Sequence, residues 1–346
     1  MSAVPSSPQL DPVVSIRGLR VAYRTSRGPL WAVDGTDLDI YPGQSVGLVG
    51  ESGSGKSSLG RALMRLLPPG GAVRGSVQLT RDTDTIDVVQ ASDAELRRMR
   101  GDDIAVVFQE PMTRLDPLMR VSDHFLEAIR AHRPRTSRSE ARLMARQALA
   151  QMGIPPTRVD DHPHEFSGGM RQRIMLALGI VLQPRLIVAD EPTTSLDVIV
   201  EAQILDILDR LRADASVGLL LITHNLGIVA ETCDRVAVMY AGKIVEEGSV
   251  EQVFNDPRHP YTRGLLASTI SLDTTELRSI EGYPPDLVEP PPGCRFAPRC
   301  PYVMPHCTDG VPDLAEPNPG QHVACYLYEG AGAPVPADAP RPSGRP

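Results

Sequence analysis

Aromatic residues are scarce in this 346-residue chain, at 4% of the whole with a single tryptophan. That scarcity argues against a surface that stacks nucleic-acid bases, which needs repeated aromatic faces. A basic excess is also missing: 35 Lys and Arg stand against 43 Asp and Glu, for a net charge of −8. A general nucleic-acid binder is therefore not expected. Long hydrophobic runs are absent too. The most apolar window, Ile174 to Leu182, falls well short of the ~20 residues of a spanning helix, so any membrane role is expected to come through a partner. Met1 to Pro12 is polar, with no basic stretch leading into an apolar one, and shows no secretion signal. The cysteines include no C-x2-C knuckle, the pairing that a zinc ribbon favours. What remains is an ordinary folded composition, 41% hydrophobic and 23% charged, with room for one large domain or two smaller ones.

What the chain does have is a set of motifs in a fixed order. Gly50-Glu51-Ser52-Gly53-Ser54-Gly55-Lys56-Ser57-Ser58 fits G-x-x-x-x-G-K-[ST]. In that pattern glycines let backbone N–H groups close around phosphate oxygens, and the lysine reaches the β and γ phosphates. Gln44 to Gly50 reads as a short buried strand entering this loop, and Ser58 to Leu67 has helical spacing that stops at Pro68-Pro69. The helix start adds its partial positive charge at the anion. Lys56 is thus the expected phosphate ligand and the Ser57 hydroxyl an expected Mg²⁺ ligand.

Leu186 to Ala189 and Leu219 to Thr223 are continuous apolar runs, as in central parallel strands covered on both faces. Asp190, Glu191 and His224 follow these runs, so they emerge at the carboxyl edge, where open α/β sheets bind ligands. Asp190 is expected to orient Mg²⁺. Glu191 is expected to be the general base that takes a proton from the attacking water. His224 could donate to the γ-phosphate, and Gln109, at the end of the Ile104 to Phe108 strand, could reach Mg²⁺ or the water. Together these features predict ATP binding and hydrolysis.

Elsewhere, Val13 to Tyr23 and Trp31 to Ile40 alternate as antiparallel strands. Val121 to Met152 is helical with a break at Pro134 to Ser137, and Gly168 to Leu182 is a helix opening at Ser167-Gly168-Gly169. Val236 to Tyr240 and Lys243 to Glu247 read as a hairpin around Ala241-Gly242. Pro284 to Pro292 reads as a semi-rigid connector rather than packed chain, and Gly330 to Pro346 as a disordered Pro/Ala/Gly tail. Four of the five cysteines, Cys294, Cys300, Cys307 and Cys325, crowd near the C-terminus, which suggests a metal rather than disulfides in a reducing cytosol. Four thiolates can hold Zn²⁺ or a [4Fe–4S] cluster, with His306 and His322 as zinc competitors. Cys233 is expected to be a buried apolar residue.

The ordered residues Gly50 to Ser57, Gln109, Ser167-Gly168-Gly169, Asp190-Glu191, Ser195-Leu196-Asp197 and His224 resemble the ATP-binding cassette (ABC) superfamily over roughly Val13 to Gly248. The resemblance implies a RecA-like P-loop α/β core, an antiparallel β subdomain and a helical subdomain at about 116–166. It implies that Tyr23 stacks on adenine. It also implies that Ser167, Gly168 and Gly169 cap the nucleotide of an opposing cassette, so a second ATPase subunit is expected. Asp256-Pro257-Arg258-His259-Pro260-Tyr261-Thr262 with Leu265-Leu266 resembles the H-P-Y segment of dipeptide and oligopeptide importer ATPases. Gln109 to Thr113 and Glu165 to Arg173 match that branch as well.

The branch implies two permease subunits, an extracytoplasmic substrate-binding protein, a place at the cytoplasmic face of the membrane, and a [4Fe–4S] cluster on the four cysteines. The expected layout is a disordered 1–12, a nucleotide-binding domain at 13–250, a cysteine-rich metal-binding extension at 251–329 and a disordered 330–346. Arg114 and Asp116 depart from the small residue and asparagine usual after Gln109, and Asn225 stands where aspartate usually follows the histidine; Met170 is normal for the branch. The competing readings are a soluble cassette ATPase acting on DNA or ribosomes, and an importer ATPase for glutathione-like solutes or nickel chelates.

Overall fold

The computed structural model describes residues 11–82, 84–107, 115–193, 197–268 and 279–328. The chain opens with β1 (Val14–Thr25) and β2 (Gly28–Ile40), then β3 (Ser45–Val49), the glycine loop and α1 (Lys56–Ala62). Next come β4 (Ala72–Thr80), β5 (Thr85–Asp87), α2 (Asp93–Asp102) and β6 (Ile104–Val107). Two helices that pack on each other follow, α3 (Val121–His132) and α4 (Arg138–Gln151), separated at Arg133 to Ser137 where the proline lies. Then come α5 (Gly168–Ile180), β7 (Leu186–Asp190), α6 (Val198–Ala215), β8 (Gly218–Ile222) and α7 (Leu226–Thr232). The chain continues through β9 (Arg235–Tyr240), β10 (Lys243–Ser249), α8 (Val250–Asn255), α9 (Pro260–Ala267), β11 (Leu314–Asn318) and β12 (Gln321–Ala324).

Two sheets result. β2-β1-β4-β5 form an antiparallel sheet, and β11-β12-β10-β9-β3-β8-β7-β6 form a mixed one. In the mixed sheet β9, β3, β8, β7 and β6 run parallel. Every residue of β3, β7 and β8 is buried, as expected of strands with helices on both faces. One apolar cluster joins the antiparallel sheet to α1 through Val21, Leu38, Leu59 and Leu63, and a second lies under α3, α4, α5 and α6. This is an α/β fold in which the parallel strand ends gather on one edge.

Two expectations need correction. α1 is shorter than its periodicity suggests, because Arg65 turns into the left-handed region at φ 49°. The proline-rich connector is packed: Leu287 O accepts the Trp31 N–H at 2.9 Å, and the Leu287 side chain sits against the third apolar cluster. The extension also joins the cassette directly. β12 pairs with β10 and carries the main sheet two strands further. Phe108, Gln109 and Arg114, along with Ser195-Leu196 and 330–346, lie outside the described residues.

Candidate nucleotide site

β3 delivers the glycine loop to the strand edge. At Gly50 (φ 150°) a Cβ would lie 2.0 Å from Met239 O, and at Gly55 (φ 108°) a Cβ would lie 2.0 Å from Ala32 O. Both positions demand glycine for conformation and for space. Lys56 is buried, and its Nζ donates to Gly50 O at 2.7 Å, Glu51 O at 2.9 Å and Ser54 Oγ at 3.4 Å. Burial lowers the Lys56 pKa, opposed by the carboxylates of Glu191, Asp190 and Glu51. An ammonium kept from water by its own loop's carbonyls can exchange them for stronger charged acceptors.

The strand ends bring distant residues together. Ser57 Oγ donates to Asp190 Oδ1 at 2.8 Å, from β3's loop to the end of β7. Burial raises the Asp190 pKa, while the Ser57 hydroxyl works against it. A hydroxyl beside a carboxylate is the oxygen donor set that Mg²⁺ takes in part, with water and phosphate completing it. Glu191 stands at φ 49°, strained for a residue with a side chain, and its Oε1 lies 3.1 Å from Nδ1 of His224. Such strain is common where a side chain must be aimed. His224 leaves the end of β8 with its side chain 66% exposed.

Tyr23 Oη lies 3.0 Å from Ser58 Oγ, which places the tyrosine beside the loop. Ser52 and Gly53 lie at the loop's exposed crest. Ser167 caps α5, its Oγ accepting the Met170 N–H, and Ser167 and Gly168 are exposed. A Cβ on Gly169 would meet Val200 Cγ1 at 2.6 Å. Asn225 caps α7, its Oδ1 accepting the N–H groups of Gly227 and Ile228. Cys233 is pushed up to about 12 by burial. Sequence reading missed Gln172, which is buried and donates to Pro192 O at 2.9 Å, tying the α5 turn to the segment after Glu191. Its place inside F-S-G-G-M-R-Q-R was the available signal.

The expected metal-binding character of the cysteine-rich extension finds no support. Among the described residues no group of three or more His, Cys, Asp or Glu is arranged to hold a metal ion. All five cysteines are free, and burial raises the pKa of Cys294, that of Cys300 to about 11 and that of Cys325 to about 12. Buried thiols of this kind stay protonated unless a cation compensates them. Cys294, Cys300, Cys307 and Cys325 nonetheless line one cavity, with Phe296, Met304 and Tyr326 among its walls.

The glycine loop, the paired acids at the end of β7 and the exposed serine-glycine turn define an ABC-type ATPase. Residues 33–194 match the family model described as ABC transporter, and 245–307 match that of the oligopeptide/dipeptide transporter C-terminal region. The dipeptide transport ATP-binding protein DppD of Bacillus subtilis is 43% identical over 325 residues, covering 92% of this chain and 96% of that one. The oligopeptide transport ATP-binding protein OppD of the same organism is 41% identical over 322 residues, covering 91% and 88%. The dimeric cassette MJ0796 superposes with a TM-score of 0.60 at 26% identity, over 68% of this chain and 98% of that one. Its post-hydrolysis dimer bound to ADP and Pi gives a TM-score of 0.59 at 27% identity, with the same coverage. The chain belongs to the ATP-binding subunit family of dipeptide and oligopeptide ABC transporters.

Proposed function

We propose that this chain is the ATP-hydrolysing subunit of an importer for dipeptides or oligopeptides. It works at the cytoplasmic face of the membrane, held there by two permease subunits that receive cargo from an extracytoplasmic binding protein. No helix among the described residues is long and apolar enough to cross a membrane, in keeping with attachment through partners. The observation that carries the reading is the convergence of Ser57 with Asp190 and Glu191 with His224 at adjacent strand ends, in a chain with the oligopeptide-transporter C-terminal region.

The site's chemistry follows from these pairs. Lys56 and the N–H groups of Gly53 to Ser58 hold the phosphates. Ser57 and Asp190, with Gln109, would hold Mg²⁺, which would supply positive charge against that of the phosphates. Glu191 accepts a proton as water adds to the γ-phosphorus and the bond to the ADP oxygen breaks. His224, aligned by Glu191, donates a hydrogen bond to the γ-phosphate. Tyr23 supports adenine, and Ser167, Gly168 and Gly169 close over the nucleotide of a second cassette. Reconstituted with its permeases in vesicles, the complex should take up dipeptide only with ATP inside the ATPase compartment. Uptake without ATP, or ATP hydrolysis with no peptide movement, would refute it.

The four-cysteine cavity we assign to a [4Fe–4S] cluster, with Zn²⁺ as the competing occupant. Support comes from the sulfurs' surroundings: Cys307 Sγ accepts the Met304 N–H at 3.4 Å, and the backbone N–H groups of Phe296, Tyr302 and Leu327 work against the burial that raises the thiols of Cys294, Cys300 and Cys325. Such donors favour thiolate and tune a cluster. Bound there, a cluster supplies redox-active charge and a crosslink. Anaerobically purified protein should be brown and contain iron and inorganic sulfide; a colourless protein with stoichiometric zinc would overturn the assignment.

A further inference from the structure

The glycine loop is gripped from behind by the C-terminal extension, and both grips fall on Glu51. Tyr261 Oη accepts the Glu51 backbone N–H at 2.8 Å. Arg299 forks onto the Glu51 carboxylate, Nη1 to Oε2 at 2.9 Å and Nη2 to Oε1 at 3.2 Å. Its other N–H groups reach Tyr240 Oη at 3.2 Å, Ile280 O at 3.0 Å and Glu281 O at 2.8 Å. A guanidinium has five N–H donors, and here every one is engaged. The Arg299 side chain is only 5% exposed. Turning it would break several charge-assisted bonds at once, so its position is fixed.

Tyr261 is equally constrained. It is fully buried, with its ring 4.5 Å from Tyr240 and 5.5 Å from Phe296 between centroids. It opens α9, where Nδ1 of His259 accepts the Tyr261 N–H at 3.0 Å. His259 N in turn donates to buried Glu246 at 2.8 Å. The H-P-Y segment is thus a rigid post that ends on the phosphate loop. Glu51 also supplies one of the two carbonyls that hold the Lys56 ammonium. Whatever fixes Glu51 therefore fixes the starting position of the lysine.

We infer that Tyr261 and Arg299 are positioning residues for the nucleotide site, through which the extension sets the affinity for ATP. They act on Glu51 and touch no phosphate themselves. Arg299 lies on the turn that runs from Cys294 to Cys300, so the cysteine cavity and the phosphate loop share one stiff segment. The inference rests on assigning Gly50 to Ser58 to the phosphates, which loss of ATP binding in Lys56→Ala tests by itself.

The decisive experiment titrates the full-length chain with ATP in a double-mutant cycle. Arg299→Ala and Glu51→Ala should each raise the Kd about three- to tenfold, and the double variant should rise no further. In Arg299→Ala, hydrolysis at saturating ATP should stay within about twofold of the parent, because only ground-state positioning is lost. Tyr261→Phe keeps the ring and removes the hydroxyl, and should raise the Kd about two- to fivefold. Effects of Arg299→Ala and Glu51→Ala that multiply would overturn the inference, as would an unchanged Kd or a fall in maximal rate alone. Should Arg299→Ala fail to fold, Tyr261→Phe decides by the same Kd criterion.

Discussion

The parallel core and the C-terminal extension are built by opposite means. β3, β7 and β8 are buried along their whole length and apolar apart from Ser45 and Asp190 at their ends. The extension is fastened by polar groups taken out of water. Glu246, 0% exposed, accepts the N–H groups of Arg258 at 2.7 Å and His259 at 2.8 Å, and Gln321 Nε2 at 2.9 Å. Arg295, itself buried, pairs with Asp34 and donates to Ala241 O. Apolar burial holds an element without dictating its angle, whereas a network of directed polar bonds favours one geometry. The core therefore supplies stability, and the extension supplies registration against the loop.

The comparison is broken most severely by a change that removes chemistry and leaves the fold. Glu191→Gln should slow turnover about 100- to 10,000-fold while ATP binding persists; full turnover would remove Glu191 from its role. Next is a change that does the reverse. Glu246→Leu strands three donors and should destabilise the chain by about 3 kcal/mol in urea unfolding, with the loss confined to the extension and the β10 edge. An equal loss of protection in β7 and β8 by hydrogen exchange would mean that the two regions are not distinct.

Acid should separate them further. Burial, assisted by the Arg263 charge, lowers the His259 pKa from 6.5 to about 3. Unfolded chains bind that proton below about 6.5 while the folded chain does not. The His259 contribution is therefore fully present above 6.5 and is lost as pH falls toward 3. The melting temperature of the parent should drop more steeply over that window than that of His259→Gln; parallel curves would show that His259 is not neutral in the fold. The smallest effect belongs to Asn225→Asp. Either residue caps α7, so stability should move by no more than about 0.5 kcal/mol, with a larger shift in calorimetry arguing for a second role.

These opposite constructions also explain what could be read in advance. Continuous apolar runs at Leu186 to Ala189 and Leu219 to Thr223 declare central strands, and Asp190, Glu191 and His224 then have to emerge where they do. The hairpin at Ala241-Gly242 was equally plain, both residues standing at positive φ. By contrast, K-I-V-E-E-G looks like an ordinary half-exposed strand, yet Glu246 and Glu247 are buried because β12 arrives from 75 residues away to cover them. Nothing local marks that. The capping box at Ser92 and Glu95 that starts α2 was legible and went unread. Four clustered cysteines gave the cavity away but not its contents, since thiol spacing fixes proximity and leaves the occupant to chemistry.

The pairing of β12 with β10 bears on where this protein can be cut. A chain ended after Ser249 would leave β10 as a bare sheet edge with an ionisable glutamate shorn of its donors. Exposed edges recruit other strands. The shortened cassette should therefore associate with itself, and the smallest soluble unit of this ATPase must include the C-terminal hairpin.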